Sequence, residues 1–332
     1  MGRAEEDLHD ALLERVARRY FMNGMLQNDI AAVEHLSRPS VSRLLAEARA
    51  RGVVQIRVGP PVDRVRELET ELRRRTGLRR CVVATNKPRA LYGTSSRLGY
   101  VAARYLESQL TGVGLLGVAS SRSLSMVADS LAEAHRPDLT VVDLLGCLAA
   151  GRSGDGGRSG DGARAGEGSG PNTAQLMAAR LDAVFRPLPA AFVYRSGSAR
   201  DAALDSALVQ DSLHLGRQCD VALVGVGSMQ RFDGTGVYSP VTVQQLQVLA
   251  AQGAVGHLCG HFIRADGSLV HAHAPAVLGI RFGELRQIPR RIAVAVGRHK
   301  IAPIAAAISG GMISELVTDQ ATAADLVQLL QS

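Results

Sequence analysis

Residues 27–52 read QNDIAAVEHLSRPSVSRLLAEARARG, and the interpretation of the whole chain turns on them. Ile30, Ala31 and Leu36 supply the apolar side of a short helix and its exit, and Val41, Leu44, Leu45 and Ala48 recur at helical spacing in a second helix. Ser37 has the chemistry of an N-cap, and Pro39 falls in the first turn, where no backbone N–H is required. The outward residues Arg38, Ser40, Ser42, Arg43 and Arg49, with Gln27 and Ser37 at the two helix starts, then form a face of hydrogen-bonding and cationic groups. Two helices joined by a tight turn, the second presenting such a face, have the geometry of a helix-turn-helix. The second helix of that unit enters a DNA major groove by its N-terminal part. An ordinary helical hairpin with a solvated basic face shares the apolar pattern; the cap and the combined Ser and Arg face favour DNA.

The following segment extends this reading. Residues 53–58 (VVQIRV) are β-branched and alternating, which suggests a strand or wing with Arg57 directed at a phosphate. Between Ser37 and Arg57 five arginines stand against one acid, Glu47, and the first 80 residues hold 16 arginines against 12 acids. Positive charge concentrated in this way is what displacement of counterions from phosphates requires.

With 332 residues, 46% of them hydrophobic, the chain can bury a large core and is expected to form two domains. Its net charge of +7 is compatible with a polyanionic partner. Only Lys87 and Lys300 interrupt an otherwise all-arginine set of 38 basic residues, so arginine content alone carries little weight. Four cysteines with no CxxC pair argue against a zinc finger and against a secreted disulfide scaffold. There is no apolar run of membrane-spanning length and no signal peptide, so a cytoplasmic protein is expected.

Leu12, Val16, Tyr20 and Phe21 predict a first helix covering the helix-turn-helix, which gives a winged DNA-binding domain over 1–58. Residues 59–77 read as a linker helix in which Val65, Leu68 and Leu72 share one side; packing on a partner and docking on its own domain fit equally. From 78 to 332 the texture alternates. Apolar runs at Cys81–Ala84, Leu115–Val118, Thr140–Leu145, Val221–Val226 and Ile292–Val296 are separated by amphipathic helices, which predicts a mostly parallel α/β sheet. The glycine-rich segment 150–171, with its near-repeat GRSGDG, is expected to be a flexible insert.

Such sheets bind ligands beyond the carboxyl ends of their strands. Ser120, Ser121, Arg122 and Ser123 join a strand to a helix start with hydroxyls, free N–H groups and a cation, a combination suited to an anion. Gly225, Gly227 and Ser228 follow a second strand and permit close backbone approach. A third strand end runs through Gly297-Arg298-His299-Lys300, where Lys300 could pair an acidic ligand. His257, Cys259, His261, His271 and His273 form a metal-like grouping, yet no acid accompanies them and the spacing is only partly met, so neither metal nor cofactor is expected. The motifs of serine hydrolases, zinc proteases and phosphate-loop enzymes are missing, and no catalytic residue is assigned.

Taken together, these segments resemble the SorC-type family of sugar-responsive transcriptional regulators, from about Val16 to Leu330. QNDIA…SRPSVSRLLAEARARGVVQI is similar to that family's helix-turn-helix and wing. DVALVGVGS (220–228), GAVG (253–256), Gly297–Lys300 and LVTDQATA (316–323) resemble segments of its effector domain. The resemblance implies an effector domain with the fold of ribose-phosphate isomerase and glucosamine-phosphate deaminase that binds a sugar, polyol or sugar phosphate without turnover. It also implies a homotetramer or dimer of dimers acting on double-stranded operator DNA near carbohydrate catabolism genes. On it, Ser121 and Ser123 lie in a loop gripping phosphate or hydroxyls, and Lys300 stands beside the ligand. His257 takes the place of an Asp or Glu, which implies an effector more acidic than a neutral polyol. His35 and Glu34 replace a usual Gly and Leu, which implies a longer or less tightly packed first helix. The insert replaces a segment that often contributes an effector-binding Arg, for which Arg152 is the candidate. An active sugar-phosphate isomerase or deaminase with an appended DNA-binding head is the rival reading.

Overall fold

The computed structural model describes residues 3–21, 23–54, 63–86, 94–147, 172–231, 243–271 and 276–331. Gln55–Val58 of the expected wing with Arg57, Lys87, the 150–171 insert with Arg152, and His273 lie outside the described residues. The chain divides into two units, Met1–Pro61 and Val62–Ser332.

The first unit consists of α1 (Arg3–Phe21), α2 (Gln27–Val33) and α3 (Arg38–Ala50). Its core takes Leu13, Val16 and Ala17 from α1, Ile30 and Ala31 from α2, and Val41, Leu44, Leu45 and Ala48 from α3. Ser37 caps α3, its hydroxyl oxygen accepting from the Ser40 N–H at 3.2 Å. The expectation of a longer first helix is corrected, since α2 ends at Val33 and the chain turns through Glu34 and His35. His35 has φ of +54°, a left-handed conformation in which an L side chain is strained and glycine is not. Glu34 substitutes charge for an apolar contact. Its side chain is 8% exposed and accepts from Arg19 Nε at 2.8 Å and Arg15 Nη2 at 3.3 Å. Burial alone would raise the Glu34 carboxyl, but these two arginines outweigh it and hold the pKa below the usual range.

The second unit begins with α4 (Arg66–Thr76), β1 (Arg80–Ala84), α5 (Thr94–Gln109), β2 (Leu115–Val118), α6 (Arg122–Ser130), β3 (Thr140–Asp143), α7 (Thr173–Leu181) and β4 (Val184–Arg186). It continues through β5 (Val193–Tyr194), α8 (Gly197–Leu204), α9 (Ala207–Arg217), β6 (Val221–Gly225), β7 (Gly227–Ser228), α10 (Val243–Ala251), β8 (Ala254–Leu258) and β9 (His261–Arg264). It closes with β10 (Ala276–Val277), α11 (Phe282–Gln287), β11 (Arg290–Val294), α12 (Ile301–Ser309), β12 (Glu315–Asp319) and α13 (Gln320–Leu329). Seven strands form one sheet in the order β1-β12-β11-β6-β2-β3-β4, every neighbouring pair parallel. Strand side chains alternate between two cores: Cys81 and Val83 join the one with α4, α12 and α13, Val82 and Ala84 the one with α5, α6 and α7. Smaller antiparallel sheets, β7-β8-β9 and β10-β5, extend from this frame.

Two buried acids explain packing that an apolar pattern does not reveal. Glu315 opens β12 in the interior, where it accepts from Arg290 Nε at 2.9 Å and from the Tyr105 hydroxyl. Glu69 of α4 accepts from Arg64 and from the Val83 N–H at 3.0 Å, while Leu72 is wholly buried. Helix α4, within the expected 59–77 linker, is therefore docked on its own unit. Replacing His35 by glycine should raise the stability of the first unit by about 1 kcal/mol, because the left-handed penalty is removed. Denaturant titration checks this; an unchanged or lowered midpoint would contradict the assigned strain.

Candidate functional site

The order of the large sheet fixes where a ligand can sit. From β2 the chain proceeds to β3 and β4 on one side, whereas from β6 it proceeds to β11 and β12 on the other. The connections leaving β2 and β6 therefore diverge, and sheets of this kind hold a ligand beyond the carboxyl ends of such a strand pair, the region termed the crevice. Ser121 and Gly225 meet there: a Cβ on Gly225 would lie 2.4 Å from the Ser121 hydroxyl oxygen. Ser121 also caps α6, accepting from the Leu124 N–H at 3.4 Å. Arg122 is exposed at the same helix start, and Ser123 is buried in its first turn.

Gly227 on β7 pairs with His257 on β8, and a Cβ on Gly227 would stand 1.9 Å from His257 Cε1, so glycine is required for the imidazole to sit where it does. Burial, and next the charge of Lys300, hold His257 down at about 3. With its pKa lowered this far, the imidazole is in the neutral form at physiological pH. Lys300 follows β11 after the Gly297 turn, and burial together with Arg122 lowers its ammonium to about 8. No carboxylate pairs with Lys300 among the described residues. The buried Ser228 hydroxyl oxygen accepts from the Gln230 N–H at 3.1 Å.

One crevice group escaped the sequence reading. Asp143 ends β3 level with Val118 and is 2% exposed. Its carboxylate accepts from Asn172 Nδ2 at 2.6 Å, and Asn172 Oδ1 in turn accepts from the Ser120 hydroxyl at 3.2 Å and the Ala174 N–H at 2.8 Å. Burial pushes Asp143 up to about 7 against the lowering effect of Asn172 and the Leu188 backbone. The available signal was an aspartate inside the apolar run TVVDLL. Among the described residues no three His, Cys, Asp or Glu side chains converge to hold a metal.

In the first unit Ser37, Arg38, Ser42, Arg43 and Arg49 are exposed, while Gln27 and Ser40 are half-buried. Ser37 and Ser40 hydroxyls lie 2.8 Å apart, and Arg43 reaches back to Ser40 at 3.4 Å, so these groups cluster at the start of α3. Arg49 sits over the Phe21 ring at 5.5 Å, which holds it against α1. No helix among the described residues is long and apolar enough to cross a membrane.

A family model described as "Putative sugar-binding domain" matches residues 61–328. Across its length the chain is 31% identical to the transcriptional regulator LsrR of Klebsiella pneumoniae subsp. pneumoniae, covering 98% of this chain and 94% of that one. The chain belongs to the SorC-type family of sugar-binding transcriptional regulators. Another relative, the deoxyribonucleoside regulator of Bacillus subtilis, is 26% identical over 94% of this chain and 95% of its own. The full-length sorbitol operon regulator SorC of Klebsiella pneumoniae shares the fold, with a TM-score of 0.66, 24% identity, and coverage of 96% of this chain and 98% of that one. The sugar-binding match falls on the unit that carries the crevice.

Because His257 is neutral when folded and ionises near 6.5 when unfolded, its stabilising contribution is complete above 6.5 and declines as pH falls toward 3. The stability difference between the wild-type chain and His257→Gln should therefore narrow as pH drops from 6.5 to 4. Parallel thermal melts measure it, and a constant difference would show that His257 is not held neutral.

Proposed function

We propose that this SorC-type regulator reads operator DNA with the exposed start of α3 and answers to a phosphorylated sugar held, without turnover, in the crevice of the second unit. One observation carries the choice of effector: Lys300 and Arg122 bring positive charge to the helix start capped by Ser121, and neither ammonium nor guanidinium is paired with an acid among the described residues. An anion there relieves the mutual repulsion of two cations and meets the free N–H groups of α6. His257, neutral and hydrogen-bonding, replaces a carboxylate that would have opposed the same anion. Asp143, Asn172 and Ser120 supply acceptors and a hydroxyl for the sugar itself.

The relatives' roles support regulation rather than chemistry, and among the described residues no carboxylate pairs with Lys300 as a second proton-transfer partner. Pentose and hexosamine phosphates should be recovered unchanged after incubation with the protein. The protein would act in the cytoplasm as a homo-oligomer, and the effector would change operator affinity by binding one arrangement of the assembly better than another.

Two measurements test this reading. A thermal-shift screen of sugars, polyols and their phosphates should stabilise the chain with phosphorylated compounds. Affinity for the best of them should fall as pH rises beyond about 8, because the Lys300 ammonium is lost there and binding must restore it. Affinity flat from pH 7 to 9.5 would remove Lys300 from the site. Separately, Arg43→Ala should weaken operator binding by about 1–3 kcal/mol if its guanidinium reads a base edge. Footprints unaltered by that change at several salt concentrations would displace α3 from the groove.

A further inference from the structure

A cavity of about 590 Å³ opens in the second unit, and none of the crevice residues lines it. Its volume is that of a small-molecule site. The floor is apolar and buried, made by Leu213, Phe262, Val270, Leu278 and Ile280. Charge is confined to the rim. Arg200 is paired with Asp201 at 2.7 Å, and Arg217 with Glu284 at 3.2 Å. Glu284 also accepts from the Arg281 N–H at 2.9 Å, but the exposed Arg281 guanidinium has no carboxylate partner among the described residues. Three guanidinium groups thus face two carboxylates, and the surplus is a cation at the mouth of an apolar hollow.

A second group points to the ligand. His261 lines the cavity with Nε2 2.9 Å from the Ile280 carbonyl oxygen. Burial keeps its pKa below the usual histidine value, against the raising effect of that carbonyl. A neutral ring that donates from Nε2 leaves Nδ1 as a bare acceptor, and Nδ1 makes no hydrogen bond with a described residue. The wall beside it is a turn in which Cys259 has φ of +49° and Gly260 +84°. A non-glycine residue held in that region is strained, as at many binding sites.

We propose that this cavity is a second ligand site, separate from the sugar crevice, for a small organic acid. The ligand carries a carboxylate, sulfonate or phosphate toward Arg281, an apolar or aromatic body on the Leu213–Phe262 floor, and an N–H or O–H for His261 Nδ1. The site does not depend on the crevice reading, although one hairpin serves both: β8 carries His257 to the crevice, and the turn to β9 carries Cys259 and His261 to the cavity.

The experiment uses the full chain and anilinonaphthalene sulfonate, which combines an anion, an aromatic body and an N–H. Fluorescence titration should show a single saturable site per chain. Arg281→Glu should weaken it about tenfold or more, with Arg281→Gln intermediate. Phenylnaphthylamine, the same body without the sulfonate, should bind at least about tenfold more weakly. Lys300→Ala should leave dye affinity unchanged. The proposal is overturned by absent saturable binding, by equal affinity for the uncharged dye, or by indifference to Arg281→Glu. Loss of binding in Lys300→Ala would place the dye in the crevice. Sites that disappear as chain concentration rises would assign the cavity to a second copy, and either result also overturns it.

Discussion

Two adjacent strands, β2 and β6, carry the chain away in opposite directions, and the architecture of the effector unit follows from that divergence. In a parallel sheet covered on both faces, such a divergence of the connections is where ligands bind, beyond the carboxyl ends of the strands. The gap is narrow because Ser121 lies directly on Gly225. A methyl group at position 225 would force α6 outward, and with it Arg122. The glycine at the end of β6 thus sets the width of the crevice, while Gly227 sets the position of the imidazole that lines it.

In the reading proposed above, the Lys300 ammonium, lowered by burial and by the neighbouring Arg122 guanidinium, is the group that an anion would stabilise. Elsewhere the fold neutralises buried charge with care: Glu315 has Arg290 and Tyr105, and Glu69 has Arg64. The contrast matters because both kinds of site lie within one well-packed unit. On the proposed reading, the cations at the strand ends that lack an acid partner among the described residues are there for an anion.

Much of this was legible from residue patterns, and the failures have definite causes. The limits of β2 coincide with the apolar run Leu115–Val118 that marked it. The interior strand β12 was missed because acids occupy both its ends; Glu315 is neutralised from distant Arg290, and Asp319 turns back to cap α13. The short strand β4 and helix α8 contribute no wholly buried residue and so lack a continuous apolar side. At the crevice, Ser121, Gly225 and Lys300 were recognisable by residue type and by their place after a strand. Asp143 was hidden in an apolar run. The neutrality of His257 likewise arises from burial beside Lys300, which no local spacing encodes.

The turn that orients α3 rests on a carboxylate gripped by two half-exposed guanidiniums rather than on an aliphatic contact. Added electrolyte screens partly exposed ion pairs of this sort over a Debye length of about 10 Å at 0.1 M. The ionic strength that loosens a protein from nucleic acid would in this chain also slacken the reading head itself. Its dependence on salt would then be steeper than a tally of neutralised phosphates accounts for, and the excess would measure the rigidity of the head.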